Sequence, residues 1–415
     1  MELYRGLIIS SINIDYIIFT WLEKFYKEGF VVRAGIILKT VERCNIDCTY
    51  CYYFNSKDQS YKIKKPYITQ DMVRYFVDFL KLGIEELKLT ELSIELHGGE
   101  PLMQKKSEFS AMCSTIRSEL ENYEDLKFEF SMQTNGMLID NEWIELLKEH
   151  QVGIGISLDG NKEANDVYRV DKKGRGTFDR VIEKIKLCQS AKFNFGLLSV
   201  INPTVSGKEM YRYFVDELNI KYIDFLLPDA NYSTIWSYPP EKYGEFMIEV
   251  FEEWIKDNHD KCKVFVRFCA NMVEMFFGAN SRLEGFGRRV QNALPLICVS
   301  NNGDLGPLDE LRTCVPEMFS KYNIKTTSWK EFLRDEFFNT FLYNMQNTPA
   351  DCRDCSWEKV CGGGIYGHRY DDELKTFSNK SVYCEGLKMF YKRVLEYFLN
   401  NGYTHTQMAQ FLSIN

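Results

Sequence analysis

Between Arg33 and Pro228 the apolar positions alternate between two periods. Ala34–Thr40, Leu92–His97, Phe128–Gln133, Val152–Leu158, Asn194–Asn202 and Tyr222–Leu227 are short, mostly apolar runs of strand length. Between them Asp71–Leu87, Glu108–Leu120, Glu142–His150, Phe178–Gln189 and Lys208–Leu218 repeat apolar residues at helical spacing. In the first of these Met72, Tyr75, Phe76, Phe79 and Leu80 share a face. Six strand–helix units in series predict an α/β fold, a parallel sheet with right-handed crossovers. Six are too few for a closed eight-fold barrel, so the expected architecture is an open, partial (β/α)6 barrel. Ligands of such sheets sit at the carboxyl ends of the strands.

Outside that stretch the pattern changes. Residues 1–33 form an N-terminal extension in which Tyr16–Tyr26 reads as a short amphipathic helix. Glu241–Asn258 and Phe268–Gly278 read as aromatic-rich helices, with the aromatics serving the core. Residues 291–390 hold a second group of cysteines, and Lys388–Leu399 a last helix before a short polar terminus. The expected division is 1–33, an extension; 34–230, the barrel; 231–297, a helical bridge; 298–390, a cysteine-rich domain; and 391–415, a helical tail.

Composition narrows the function. Of 415 residues, 45% are hydrophobic, enough for a sizeable core, and the formal charge of −8 leaves no basic block for nucleic acid. Leu7–Phe19 is apolar but broken by Ser10, Ser11, Asn13 and Asp15, and lacks the leader and cleavage site of a signal peptide. No run is apolar for long enough to span a membrane. The 13 cysteines are too sparse for a disulfide scaffold and gather in two places, which points to metal sites in a reducing cytoplasm.

The first group is Cys44-x₃-Cys48-x₂-Cys51. Three thiolates so close cannot pair as unstrained disulfides, but they can wrap one face of a cubic iron–sulfur cluster and leave one iron open. A zinc knuckle is the competing reading. With the aromatic Tyr50 before its last cysteine, the motif resembles the signature of radical S-adenosylmethionine (SAM) enzymes. The resemblance implies a 4Fe–4S cluster whose open iron chelates SAM, and cleavage of SAM to a hydrogen-abstracting 5′-deoxyadenosyl radical.

The same resemblance assigns residues at the later strand ends. His97-Gly98-Gly99-Glu100-Pro101 is similar to the family's Gly-Gly-Glu-Pro motif, which holds the SAM amino group; His97 reads as structural. From the residues alone, Gly98 and Gly99 let backbone approach a ligand, and Glu100 can accept from an amine. Ser157 is implied to face the SAM ribose and Arg169 to pair with its carboxylate. Gln133 and Asn135 are either ligand groups or turn chemistry, and Asp159 reads as bracing its own turn.

The second group is Cys352-x₂-Cys355-x₅-Cys361 with Cys384, in a glycine-rich segment not expected to be helical. Four cysteines suit zinc or a fully ligated cluster. Beside the first motif they resemble a SPASM domain, which carries auxiliary 4Fe–4S clusters. Full SPASM domains have two. Here Ile365 and Leu308 stand where two ligands of the first would be, which implies one auxiliary cluster. Cys298 and Cys314 then read as buried thiols, and Cys113, Cys188, Cys262 and Cys269 as core. Asp309 follows Leu308 in the Gly303–Asp309 hairpin. It is either a turn cap or, as in sulfatase-maturing relatives of the family, a base toward substrate.

Together, Cys44–Asn55, the cysteine-free Gly303–Arg312 hairpin and Cys361-Gly-Gly-Gly-x₃-His368-Arg369-Tyr370 with Ser381-x₂-Cys384 resemble radical SAM–SPASM maturases of ribosomally made peptides. Within these, the match is to the group that forms three-residue cyclophanes. The resemblance spans residues 34–395. It implies a precursor-peptide substrate, β-hydrogen abstraction, and a bond from an aromatic ring to the β-carbon two residues on. It also implies an external electron donor such as flavodoxin or ferredoxin. Residues 1–33 are too short for a fused leader-binding domain, so leader recognition falls to the barrel, the tail or a separate protein. The alternatives are a thioether-forming maturase, an anaerobic sulfatase maturase and, outside enzymes, a zinc-bound peptide-binding module.

Overall fold

A computed structural model describes residues 32–234, 238–258, 263–279, 281, 283, 294 and 296–413. The expected Tyr16–Tyr26 helix, the apolar run at residues 7–19 and Cys262 lie outside them.

The six expected strands form, each within a few residues of its expected bounds: β1 (Arg33–Val41), β2 (Glu91–Gly98), β3 (Lys127–Thr134), β4 (Val152–Ser157), β5 (Phe195–Val200) and β6 (Tyr222–Leu226). Neighbours pair in parallel from β1 through β6. Four short strands extend this sheet at its edges. β7 (Phe265–Val266) adds in parallel to β6. On the other edge β8 (Ile297–Val299) pairs in parallel with β1, and β9 (Asp304–Gly306) and β10 (Tyr322–Asn323) follow antiparallel. The result is one open ten-stranded sheet. The expected boundary at 297/298 falls within β8.

Register explains which face does what. Ala34, Ile36 and Leu38 lie beside Leu92, Ile94 and Leu96, and that face continues through Phe130, Met132, Ile154 and Ile156. These residues are buried and form the core with the crossover helices. The opposite face carries Gly35, Ile37 and Lys39, then Ser93, Glu95 and His97, then Ser131 and Gln133, Gly153 and Gly155, and Asp224. Small and polar side chains there leave room for chemistry, while the apolar face supplies burial at about 25 cal/mol per Å².

The crossover helices are α1 (Gln70–Leu87), α2 (Lys106–Leu120), α3 (Asn141–Glu149), α4 (Lys162–Tyr168), α5 (Phe178–Ser190) and α6 (Gly207–Arg212), the last running into a π-turn at Tyr213–Glu217. Thr69 caps α1 by accepting from Met72 N at 3.3 Å. Its buried stripe includes Met72, Phe76, Phe79 and Leu80 as expected, but Tyr75 faces solvent with Lys325 Nζ 5.2 Å from its ring centre. Residue 75 turns outward from a stripe that widens to Val73 and Val77 instead. α4 was not apparent in the sequence: seven residues are too short for a periodic signal, although Asn161 caps it through Ala164 N at 3.0 Å.

α7 (Pro240–Asn258) and α8 (Arg267–Phe276) follow, then α9 (Glu336–Gln346) and α10 (Cys384–Asn400). α10 begins at the cysteine itself rather than at Lys388. Gly244 of α7 and Gly386 of α10 sit back to back, and a methyl group on either would meet backbone of the other segment within 2.5 Å. The short polar terminus after α10 holds one more helix, α11 (His405–Ser413), because Phe411 and Tyr403 pack on Phe277 and Met408 is buried.

The C-terminal third is fastened to the barrel by Trp329. Its ring stacks on Phe79 at 4.7 Å and its indole N–H donates to Phe79 O at 2.8 Å. Gly83 is the seat of that ring; a Cβ there would lie 2.6 Å from the indole nitrogen. Trp329→Ala is expected to cost about 3–5 kcal/mol of stability, read as a lowered urea midpoint. A cost below about 1 kcal/mol would show that this contact does not hold the two parts together.

Candidate active site at the strand ends

The three-cysteine loop leaves the carboxyl end of β1 and is clamped by the end of β2. Gly99 N donates to Val41 O at 2.7 Å and Glu100 N to Arg43 O at 2.9 Å. A Cβ on Gly98 would stand 2.2 Å from Val41 O, and one on Gly99 2.1 Å from Arg43 O. The backbone these glycines approach is therefore the cysteine loop's own; no ligand is needed to explain them. From the other side Asp47 N donates to Val170 O at 2.7 Å and Thr49 N to Tyr168 O at 3.0 Å.

Cys44, Cys48 and Cys51 come together, each within electrostatic reach of another. Burial raises all three thiols, Cys44 to about 12, with the Glu100 charge next in effect there. The opposing influence at Cys48 is the Arg169 guanidinium. Asn135 Nδ2 lies 3.8 Å from Cys44 Sγ and donates to Asn45 Oδ1 at 2.7 Å. Phe54 N lies 3.5 Å from Cys51 Sγ. Three soft donors, two amide N–H groups and one guanidinium suit a thiolate-bound, polynuclear iron site that keeps anionic sulfur.

Around them the other expected residues are bound up with one another. Buried Glu100 accepts from Thr134 Oγ1 at 2.7 Å and Leu102 N at 3.0 Å on one oxygen, and from Asn135 N at 2.8 Å on the other. The second oxygen retains capacity for one further donor. Burial raises its carboxyl, offset by those N–H and O–H groups. Tyr50 donates to Asp159 at 2.5 Å and accepts from Arg169 Nη1 at 2.8 Å. Asp159 also accepts from Val200 N at 3.0 Å, so it braces the cysteine loop against β5 rather than its own turn alone. Gln133 Nε2 donates to Ser157 Oγ at 2.8 Å.

The second group also assembles. Cys352, Cys355, Cys361 and Cys384 lie within electrostatic reach of one another, and burial pushes the Cys361 thiol to about 12. Cys361 ends a single helical turn, Glu358–Cys361, where no helix was expected, because Gly362 in a left-handed conformation terminates it. Cys113, Cys188 and Cys269 are buried in the core. Cys298 and Cys314 are buried thiols pushed up to about 12, chiefly by burial. Leu308 is also core, and Ile365 packs against it.

Asp309 is the centre of an ion network that the sequence did not reveal. Fully buried, it pairs with Lys39 of β1, accepts from Arg312 Nε at 2.8 Å, from Tyr52 at 2.5 Å and from the Cys298 thiol at 3.2 Å. Arg312 continues to Asp58 at 2.6 Å. Burial would raise the Asp309 carboxyl, but Lys39 and Arg312 outweigh it and hold the group far below the usual carboxylate range. A carboxylate so engaged is a weak proton acceptor. His97 beside Lys39 is pushed down to about 3 by burial and then by that cation, so it stays neutral. Lys39, Tyr52, Asp58 and Arg312 carried no sequence signal, since their partners are distant in the chain.

Asp309→Asn is expected to destabilise by about 3–5 kcal/mol at neutral pH, because two buried cations lose their shared anion. The native carboxyl is depressed, so its stabilisation is present above the unfolded value near ~3.9 and fades as pH falls below it. The gap between variant and wild type in urea midpoint is therefore expected to narrow below about pH 4. A constant gap would mean the loss is one of packing.

Comparison with known proteins places this arrangement. Residues 38–216 match the sequence profile of the Radical SAM superfamily. The chain is similar to the cysteine-type anaerobic sulfatase-maturating enzyme of Clostridium novyi (strain NT), 23% identical over 86% of this chain and 94% of that one. It is also similar to the serine-type enzyme of Bacteroides thetaiotaomicron, 23% identical over 85% and 87%. Among solved structures, native anSMEcpe with bound AdoMet superposes with a TM-score of 0.75 at 25% identity, covering 89% of this chain and all of that one. Streptococcus suis SuiB bound to its precursor peptide SuiA shares the fold, with a TM-score of 0.60 at 15% identity over 93% and 84%. Residues 38–216 thus belong to the Radical SAM superfamily, and the chain built around them is an enzyme.

Proposed function

We propose that this enzyme modifies a ribosomally made precursor peptide by joining an aromatic ring carbon to the β-carbon of a residue two positions on. One observation carries the reading. Two separate thiol groups, of three and four cysteines, assemble in one chain, while Leu308 and Ile365 are absorbed into apolar packing where a further cluster would need thiolates. In this reading Cys44, Cys48 and Cys51 hold a 4Fe–4S cluster with an open iron, and Cys352, Cys355, Cys361 and Cys384 an auxiliary 4Fe–4S cluster. Bound there, SAM and the first cluster supply a 5′-deoxyadenosyl radical.

The chain's own groups bind and orient. Arg169 spends one N–H on Tyr50 and keeps others for a carboxylate. Glu100 has its remaining acceptor site for an ammonium group, and Ser157, held by Gln133, is suited to a ribose. Gly98, Gly99 and Tyr50 fix the loop that carries these groups. Residues 34–230 act as the catalytic barrel and 298–390 as the auxiliary-cluster domain, with 231–297 between them and 391–415 closing the chain. An external flavodoxin or ferredoxin supplies electrons. No helix among the described residues is long and apolar enough to cross a membrane.

A second reading is favoured by the relatives: oxidation of a cysteine or serine to formylglycine, the activity their names carry. Anaerobic incubation with SAM, reductant and two peptide sets separates them. An aromatic-x-Asn, -Lys, -Arg or -Ser core is expected to lose two hydrogens and resist backbone fragmentation between the joined residues. An aldehyde trapped by hydrazide on a cysteine or serine peptide, with no crosslink on the first set, would replace the proposal by the second reading; a sulfur crosslink on cysteine-rich cores would make it a thioether enzyme.

Reconstituted protein is expected to carry about eight irons per chain, and the Cys352→Ala/Cys355→Ala variant about four. About twelve would bring Cys298 or Cys314 in as ligands; zinc with about four irons would make the second site structural.

A further inference from the structure

We propose that Asp229 is the residue that takes the substrate proton in the oxidative half of the reaction, with Asp309 acting on it as a fixed negative neighbour. The inference rests on the peptide-maturase reading but not on which bond is made.

Asp229 lies three residues beyond β6, on the side of the sheet where the cysteine loop leaves β1. Its backbone is pinned just before it, where Tyr383 donates to Pro228 O at 2.8 Å, and just after it, where Tyr232 N donates to Tyr370 O at 3.0 Å. Its surroundings join the two thiol groups. Tyr52, next to Cys51, and Tyr383, next to Cys384, lie within electrostatic reach of it, as do Asp309 and Cys314 of the hairpin region. Asp229 is itself exposed. Among the described residues no hydrogen bond or ion pair reaches it. Glu100, Asp159 and Asp309 are all buried and occupied by donors. A substrate seated between the thiol groups would thus meet at Asp229 a carboxylate whose acceptor sites are all free.

The electrostatics suit the role. Although the residue is exposed, the protein packed around the Asp229 carboxyl displaces water from it, and that desolvation, reinforced by the Asp309 charge, raises the carboxyl to about 7. Lys39 and Arg312 keep Asp309 ionised, so that charge persists at neutral pH. Tyr52 and Tyr383 are both held neutral, their hydroxyls raised far above neutrality by burial, and the Cys314 thiol is raised likewise. Asp309 is therefore the one ionised group acting on Asp229 from these elements. A base poised near the working pH gives the best product of availability and driving force.

In the reaction the carbon radical adds to the ring, and the ring carbon that gains the bond still holds its hydrogen. Restoring aromaticity breaks that C–H bond. The proton passes to an Asp229 oxygen, and the unpaired electron goes to a one-electron oxidant, an oxidised 4Fe–4S cluster. The same accounting serves a formylglycine product: the proton comes from the O–H of a serine radical, giving the aldehyde, or from the S–H of a cysteine radical, giving a thioaldehyde that takes up water and releases hydrogen sulfide.

The test compares wild type, Asp229→Asn and Asp229→Glu, each reconstituted. In Asp229→Asn the ratio of 5′-deoxyadenosine to modified peptide is expected to rise at least tenfold, with partial restoration in Asp229→Glu. The single-turnover rate of wild type is expected to fall as pH drops below about 7, and that limb to be absent in Asp229→Asn. Infrared difference spectra of unreduced protein provide a readout without turnover: a protonated-carboxyl band vanishing as pH rises through neutrality, and missing in Asp229→Asn. Wild type that modifies peptide while Asp229→Asn matches it in rate and ratio overturns the inference alone, as does a carboxyl band that titrates in the ordinary carboxylate range. Wild type that modifies no peptide overturns the maturase reading, and the inference with it.

Discussion

Two cations without access to water decide where the two ends of this chain meet. Lys39 on β1 and Arg312 after the hairpin are both fully buried, and Asp309 lies between them. A buried ammonium or guanidinium with no partner costs several kcal/mol, so each must be answered by an anion in place. Asp309 answers both, and Asp58 answers Arg312 again from the segment after the cysteine loop. Lys39 also lies over the Tyr53 ring at 4.1 Å, and Tyr53 donates to buried Glu42. The network ties β1, the cysteine loop and the C-terminal hairpin into one unit. Tyr52, bonded to Asp309 and adjacent to Cys51, carries that constraint to the thiols.

The sheet makes such a network possible. Its outer face buries Ile36, Ile94, Phe130 and Ile154 under helices, and burial there is what stabilises the fold. The inner face is free to hold groups that no folding requirement selects: Lys39, Glu95, His97, Gln133 and Asp224. Stability and chemistry are separated by the two-residue period of a strand. The cost is that inner-face charges must find each other across the sheet, which is why the hairpin at residues 297–306 joins β1 as an edge strand rather than folding apart.

The legible parts of the sequence were those whose signal is local. Six strands and their main helices follow from period, and the thiol groups from spacing. Glu100 was found through a motif, yet of its partners Asn135 was left between ligand group and turn chemistry and Thr134 was not singled out. β7 through β10 escaped because strands of two or three residues have no period to read. Asp309 could be singled out by position, but its state could not: Lys39 is 270 positions away in the chain, and only the fold brings it near. Asp229 had no motif at all. A lone aspartate after a strand is ordinary turn chemistry until its neighbours are known.

The same charges bear on why the hairpin carries leucine and not cysteine at 308. A cluster ligand must be a thiolate, and a thiolate needs positive charge or N–H donors around it. Next to Leu308 stands Asp309, whose negative charge already makes ionisation of the Cys298 thiol costly and to which that thiol donates its hydrogen. Arg312, the cation that favours sulfur, divides its donors among Asp309, Asp58, Ser300 and Cys298. Further thiolates there would compete with Asp309 for Lys39 and Arg312, and either the carboxylate or the sulfur would be left buried and unpaired. Leucine, which asks nothing of the charges around it, fills the place by packing into the core.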